Sequence, residues 1–135
     1  MNTRIAPMLA VRDGARAIEF YKEAFGAIEL WRIDAGGSVV AGLSVDGAEL
    51  FLAQESPPHG TQSPETAGHT TVRIELFVDD PERAHARAVA AGATEVSPLR
   101  EYRHNMVGPR PINRILQSHV VDPFGHHWLI GRPET

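Results

Sequence analysis

Cysteine is missing from the sequence altogether. That one absence excludes thiolate zinc sites, iron–sulfur clusters, thiol redox chemistry and a disulfide framework. Lysine is almost missing too: Lys22 is the sole lysine among 13 basic residues, so Schiff-base chemistry has one candidate. No apolar run nears the roughly 18 residues that a membrane span needs. Met1 to Pro7 also lacks the apolar core of a secretion signal. A cytoplasmic setting with no membrane contact is expected. Positive charge is short as well, since 13 bases face 17 acids for a net charge of -4. That balance is the reverse of the basic footprint of a nucleic-acid binder, and no nucleic-acid partner is expected. What is left is a chain of 135 residues, 42% of them hydrophobic. A chain of that length closes one compact domain without crosslinks, because it buries roughly two-thirds of its unfolded surface.

The chain is written twice. Val11-Arg12-Asp13-Gly14-Ala15-Arg16-Ala17 reappears as Val78-Asp79-Asp80-Pro81-Glu82-Arg83-Ala84, and Phe25-Gly26-Ala27 as Ala91-Gly92-Ala93. In each copy a strand runs into an Asp able to cap the orphan amides of a helix's first turn. A glycine then stops the helix by taking the left-handed conformation. In the first helix Ala17, Ile18, Tyr21, Ala24 and Phe25 recur at helical spacing. In the second, Pro81 takes the first helical position and Ala84, Ala88, Val89 and Ala91 form the expected buried stripe. Strand-like stretches follow: Ile28 to Ile33, Ser38 to Val45 and Glu49 to Ala53, then Glu95 to Pro98, Ile115 to Val121 and His126 to Ile130. The turn signals Val45-Asp46-Gly47 and Val121-Asp122-Pro123-Phe124-Gly125 open the last strand of each set. The result is two βαβββ modules, about residues 4–54 and 71–132, within a single domain spanning 1–135. Residues 55–70, rich in Pro, Gly, Ser and Thr, read as a linker or a mobile flap. An insertion from Arg100 to Arg114 carries Gly108, Pro109 and Pro111, which break regular structure.

The two modules, the capped helix holding Phe20-Tyr21 and ending at Phe25-Gly26, and the turn Asp122-Pro123-Phe124-Gly125-His126-His127-Trp128 form a recognisable set. From Ile5 to Gly131 the sequence resembles the vicinal oxygen chelate superfamily, which takes in glyoxalase I, extradiol dioxygenases, fosfomycin-resistance enzymes and bleomycin-binding proteins. Ala17 to Tyr21, Ala24 to Ala27 and Asp122 to Trp128 look most like its PhnB-type branch. The resemblance implies an α+β protein of the glyoxalase/bleomycin-resistance fold. In that fold each module curls a mixed sheet into a strand-lined cup, with the helix outside. It also implies a homodimer, and a divalent ion held by His, Gln or Glu from the first and last strands of each module.

Strand alternation assigns the cup face. Between Thr71 and Val78, the apolar Ile74, Leu76 and Val78 pack under the helices, which leaves Arg73, Glu75 and Phe77 facing the cup. Charge on the inner face of a core strand is costly unless a solvated or ligand-filled cavity meets it. Arg73 and Glu75 are therefore the leading candidates, an i,i+2 ion pair between them being the plainer reading. In the first strand Ala6, Met8 and Ala10 face inward, and in the fourth Glu49, Phe51 and Ala53 do so. In the last, His127 and Leu129 face inward while Trp128 and Ile130 turn to the helix. A slip of one residue would reverse every assignment. Trp31, Phe51, Phe77 and Tyr102 are candidate apolar walls, or plain core.

The ion-ligand positions that the resemblance implies fall on Ala6, Phe51, Arg73 and Leu129, none of which offers a lone pair to a cation. No cofactor is expected, a divalent metal held by His127, His119 and Glu75 being the alternative. His126 and His127 point to opposite faces of a strand, as do Ser118 and His119, so neighbours form neither a chelate nor a nucleophile–base pair. The insertion gathers Arg100, Arg103, Arg110 and Arg114 against Glu101 alone, a basic segment suited to an anion, a partner or solvent. The expected function is metal-independent binding of a small organic ligand in the cup between the modules. Arg73, Glu75, Phe51, Phe77, Glu49, Trp31, Tyr102 and His127 are the expected ligand-binding residues. The alternatives are a divalent-metal lyase or dioxygenase and a metal-free acid–base enzyme using Glu75 and His127.

Overall fold

A computed structural model describes residues 1–134 and divides into two compact units, Met1–Thr70 and the residues from Thr71 onward. The first holds β1 (Met8–Val11), α1 (Gly14–Phe25), β2 (Ile28–Ala35), β3 (Ser38–Val45), β4 (Ala48–Gln54) and α2 (Pro64–Ala67). The second holds β5 (Arg73–Phe77), α3 (Pro81–Ala91), β6 (Thr94–Arg103), β7 (Arg114–Val121) and β8 (His127–Glu134). Each unit builds one four-stranded mixed sheet in the same order, β1-β4-β3-β2 and β5-β8-β7-β6. The first pair in each is parallel and the others antiparallel. The α+β class and the repeated βαβββ order are both present. No helix is long and apolar enough to cross a membrane.

The capping residues set the helices. Asp13 is extended and its carboxylate accepts from the Arg16 N–H at 3.1 Å, and Gly26 ends α1 at φ 70°. Asp80 does the same for α3 through the Arg83 N–H at 3.0 Å, ahead of Pro81, and Gly92 ends it at φ 127°. α1 buries Ala17, Ile18, Phe20, Tyr21 and Ala24, and together with Val11, Leu43 and Leu52 these form the first core. The larger of these side chains each contribute about 1.5–3 kcal/mol on burial, and the alanines less.

The second core rests on Val120, Phe124, Trp128 and Ile130 beneath an alanine-rich α3. Val89, expected in the buried stripe, is instead 39% exposed. α3 faces the sheet with Pro81, Ala84, His85 and Ala88, and Val89 lies a further 100° or so round the helix from Ala88.

Two features stiffen the second unit on the α3 side of its sheet. The buried Asp122 carboxylate accepts from the Phe124 and His126 N–H groups and from the Trp128 indole, each at 2.9 Å. It thereby closes the turn into β8. His85 joins helix to sheet, its Nδ1 2.7 Å from Ser118 Oγ and its Nε2 2.7 Å from a Glu95 carboxylate oxygen.

The stretch between the modules carries a 3-10 turn at Pro57–His59 and the single-turn α2. Side chains fold it: the Glu55 carboxylate accepts from the Ser63 N–H and the Thr66 hydroxyl, both at 2.7 Å, and Arg12 donates to Thr66 Oγ1 at 3.0 Å. The Ser63 N–H, followed by the Thr66 and Ser63 side chains, holds the Glu55 carboxyl below its ordinary range.

β6 runs on to Arg103, well past the expected end at Pro98. The pairing with β7 shifts register between Ser97 and Arg100, so Pro98 sits at an irregularity where no ladder N–H is required. The irregular part of the insertion is confined to residues 104–113.

Candidate functional site

The face of the second sheet turned away from α3 carries most of the polar side chains that the core does not use. Along β7, Ser118 and Val120 are buried, which puts Gln117 and His119 on the opposite face. The same alternation puts His127 and Leu129 there on β8, between buried Trp128 and Ile130. The parallel register sets Arg73 beside His127 and Glu75 beside Leu129, and the antiparallel register sets Leu129 opposite His119. A cavity of about 230 Å³ opens on this face, lined by Arg73, Ser97, Tyr102, Gln117, His119 and Leu129 among others.

His119 Nε2 lies 2.8 Å from His127 Nδ1, with the ring centres 5.0 Å apart. The ring separation is close to that nitrogen distance plus the two ring radii, so the imidazoles meet nearly head to head. One donates and the other accepts. A metal ion between them needs about 2.0 Å to each nitrogen and both lone pairs aimed at it, which this contact does not provide. Burial, then the neighbouring His127 and Arg73 charges, push the His119 pKa below its ordinary value. At neutral pH His119 is therefore uncharged.

Glu75 and Arg73 do not form the plain ion pair considered from the sequence. Glu75 instead accepts from the Gln117 amide at 3.1 Å, and the Arg73 side chain makes no hydrogen bond or ion pair among the described residues.

The equivalent face of the first sheet is apolar. Trp31 meets Phe51 edge to face, ring centres 5.2 Å apart at 68°. Both lie beside Gly42 in register, and a Cβ on Gly42 would come within 2.3 Å of the indole nitrogen. A glycine at that point lets the indole lie flat across β3. Met8 and Ile33 stand on the same face, both more than half exposed, and Glu49 is ion-paired to Arg4.

Of the residues expected at the ligand, Arg73 and Tyr102 line the cavity directly. Glu75 and His127 sit against it through Gln117 and His119, and Phe77 lies on the same face, 51% exposed, outside the lining. Trp31, Phe51 and Glu49 belong to the first sheet. Gln117, Ser97 and Leu129 are not among them, and the sequence suggests His119 only as an alternative metal ligand or a base beside Ser118. The alternation along β7, laid against β8 through the antiparallel turn, is the signal that places Gln117 and His119 beside His127. In the insertion, Glu101 accepts from Arg114 at 2.7 Å and lies 3.3 Å from Arg103, which neutralises part of the local positive charge.

Two familiar chemistries fail on these residues. Ala6, Phe51 and Leu129 carry no donor atom and Arg73 is a cation. No group of three or more His, Cys, Asp or Glu among the described residues is placed to hold a metal ion. The donor set does not fit the divalent ion that the superfamily pattern implies. The Ser118–His85–Glu95 chain has the bond distances of a hydrolase relay, but Ser118 is 1% exposed and its hydroxyl lies on the α3 side of the sheet. A nucleophile there meets no substrate, and the chain is a structural tie.

Residues 4–130 match the family model described as the Glyoxalase/Bleomycin resistance protein/Dioxygenase superfamily. The chain is 37% identical over 134 residues to Rv0887c of Mycobacterium tuberculosis, covering 96% of this chain and 74% of that protein. It is 31% identical over 135 residues to At5g48480 of Arabidopsis thaliana, covering 88% and 71%. Among solved structures, TioX from Micromonospora sp. ML1 superposes with a TM-score of 0.70 at 27% identity, covering 98% of this chain and 100% of that one. FosX from Listeria monocytogenes, solved in complex with Mn(II) and a sulfate ion, gives a TM-score of 0.68 over 99% and 94% of the two chains. Its identity of 13% speaks to the fold alone.

Proposed function

Because the chain belongs to the glyoxalase/bleomycin resistance protein/dioxygenase superfamily, we propose that it binds a small organic ligand without a metal ion and performs no chemistry on it. The observation that carries this reading is the cavity on the second sheet. Its walls are mostly polar, with hydrogen-bonding groups from Arg73, Ser97, Gln117 and His119 beside the apolar bodies of Tyr102 and Leu129, which favours a polar ligand over a purely apolar one. At about 230 Å³ it lies under the range of roughly 300–1,000 Å³ typical of drug-sized ligands. It therefore takes a small molecule or one end of a larger one. The Trp31–Phe51 shelf on the first sheet adds an exposed aromatic surface suited to an apolar group.

The capped helix ending at Phe25-Gly26 and the Asp122 to Trp128 turn support placement in the PhnB-like branch. Exposed Ile28, Leu30 and Ile33 on the edge strand β2 support a homodimer that covers them. The lack of cysteine supports a cytoplasmic setting.

A thermal-shift screen of small neutral, cationic and anionic compounds tests the binding reading. A compound at 100 times its dissociation constant stabilises by about 2.7 kcal/mol, a rise of several degrees. No stabilisation by any class overturns it. A stoichiometric metal that survives dialysis of the purified protein overturns metal independence.

A second reading rests on the His119–His127 contact. An uncharged imidazole on a cavity wall, backed by a second imidazole, is a general base with a proton relay behind it. In this reading His119, rather than Glu75, takes the proton. Hydrogen–deuterium exchange at the carbon next to the ketone of small oxo acids, followed by NMR and lost in His119→Gln, is its signature.

A further inference from the structure

We propose that the cavity on the second sheet is an anion site whose ligand is a small monocarboxylic acid, its carboxylate held by the Arg73 guanidinium. This rests on the ligand-binding reading above and names the chemical class.

The lining supplies donors in excess of acceptors. Arg73 brings a planar fork of N–H groups, and Ser97 and Tyr102 bring hydroxyls to the same cavity. The acid nearest by register, Glu75, is engaged by Gln117 instead of neutralising Arg73. The guanidinium therefore lines a cavity with no protein counter-ion among the described residues.

Charge count selects a monoanion over a dianion. One uncompensated guanidinium faces the cavity, His119 beside it is uncharged, and the Glu75 carboxylate remains on the same face of the sheet. A dianionic phosphoryl group would add a second negative charge near Glu75 with no second cation to meet it. Leu129 and the Tyr102 ring leave an apolar wall for the body of the acid. The cavity volume, about 230 Å³, lies below that of drug-sized ligand sites and suits a single ring with its head group.

The test uses three compounds of one shape and three charges: benzoate, benzamide and benzamidine. Binding to the isotope-labelled full chain is followed by NMR shifts of Leu129, Tyr102 and the His119 imidazole. Benzoate is expected to bind at least about tenfold more tightly than benzamide, with benzamidine weakest, the ratio expected of a charge-assisted hydrogen bond. Arg73→Gln should bring benzoate down to the level of benzamide and leave benzamide unchanged. Arg73→Lys should keep part of the preference, because a point charge replaces the fork. The Arg73 side chain is exposed, so both variants are expected to fold, and their melting temperatures check this. If benzamide or benzamidine binds as tightly as benzoate, or Arg73→Gln leaves benzoate binding intact, the anion inference fails while the binding reading stands. If none of the three moves the cavity signals at about 10 mM, enough to half-fill even a site of 10 mM affinity, the anion inference falls, while the binding reading is decided by the broader thermal-shift screen.

Discussion

On β4, Leu50 and Leu52 turn to α1 while Glu49, Phe51 and Ala53 turn away; on β8, Trp128 and Ile130 turn to α3 while His127, Leu129 and Gly131 turn away. The two sheets have one strand order and one pairing pattern, yet the faces away from their helices differ in kind. The first presents Met8, Trp31, Ile33 and Phe51, and the second Arg73, Glu75, Gln117, His119 and His127. The helix-facing positions are constrained by packing and stay mostly apolar in both copies, Ser118 with its bond to His85 being a polar exception. The opposite positions carry no such constraint, so duplication keeps the scaffold while each face takes its own chemistry.

The sharpest contrast lies in the turns before β4 and β8. Asp122 accepts three hydrogen bonds in a buried turn, whereas the first unit uses Asp46-Gly47, with Asp46 at φ 50° and Ser44 Oγ accepting from the Gly47 N–H at 3.0 Å. Asp122→Ala removes the acceptor that two backbone N–H groups and an indole share and should cost about 3–5 kcal/mol in urea unfolding. Ser44→Ala should cost about 1 kcal/mol. Equal losses would show that the two turns bear the same load and would break the contrast.

Each sheet also has one glycine at a crowded point. An added methyl at Gly131 meets the Leu116 carbonyl at 2.5 Å, and that backbone moves only if β7 and β8 part. The same change at Gly42 first meets the Trp31 side chain, which can rotate. Gly131→Ala is expected to cost about 3 kcal/mol and Gly42→Ala about 1 kcal/mol. Gly42→Ala should also shift tryptophan fluorescence as Trp31 leaves Phe51. A silent spectrum would place Trp31 off the shelf.

The smallest effects come with acid. The His119 pKa lies below its ordinary 6.5, so the unfolded chain binds that proton more readily. Stability from this group is present above pH 6.5 and is lost as pH falls through the lower folded value. Glu55 is lowered from 4.5, and its contribution is lost only in the more acid carboxylate range. Amide exchange measured from pH 7 downward should therefore show the second sheet loosening before the segment around α2. The reverse order would contradict both assignments.

Capping and alternation are short-range, which is why Asp13, Asp80, Gly26 and the span of β3 were legible in the sequence. The two faces of β4, β5 and β8 followed from the same rule. Longer-range choices were not. Pro98 read as a strand end because nothing local says that a bulge will absorb it. Residues 55–70 have no periodicity because Glu55, Ser63 and Thr66 fold them through side chains. Nothing local marks His85, and only packing brings Ser118 and Glu95 to its two nitrogens. At the candidate site the face of Arg73 and His127 could be inferred, but the partner of Glu75 and the meeting of His119 with His127 depend on side-chain reach across strands.

The Asp122 turn has a consequence for how this chain can change over time. It fixes the phase of β8 against β7 from the α3 side, and the loop at residues 104–113 enters β7 from the other end. Residues gained or lost in that loop leave the side-chain phase of both strands untouched. The segment beside Tyr102 is thus free to drift in length and charge, while a single residue added between Val121 and His127 would turn Arg73's neighbours to the wrong side. Tolerance and intolerance to insertion sit at opposite ends of one strand.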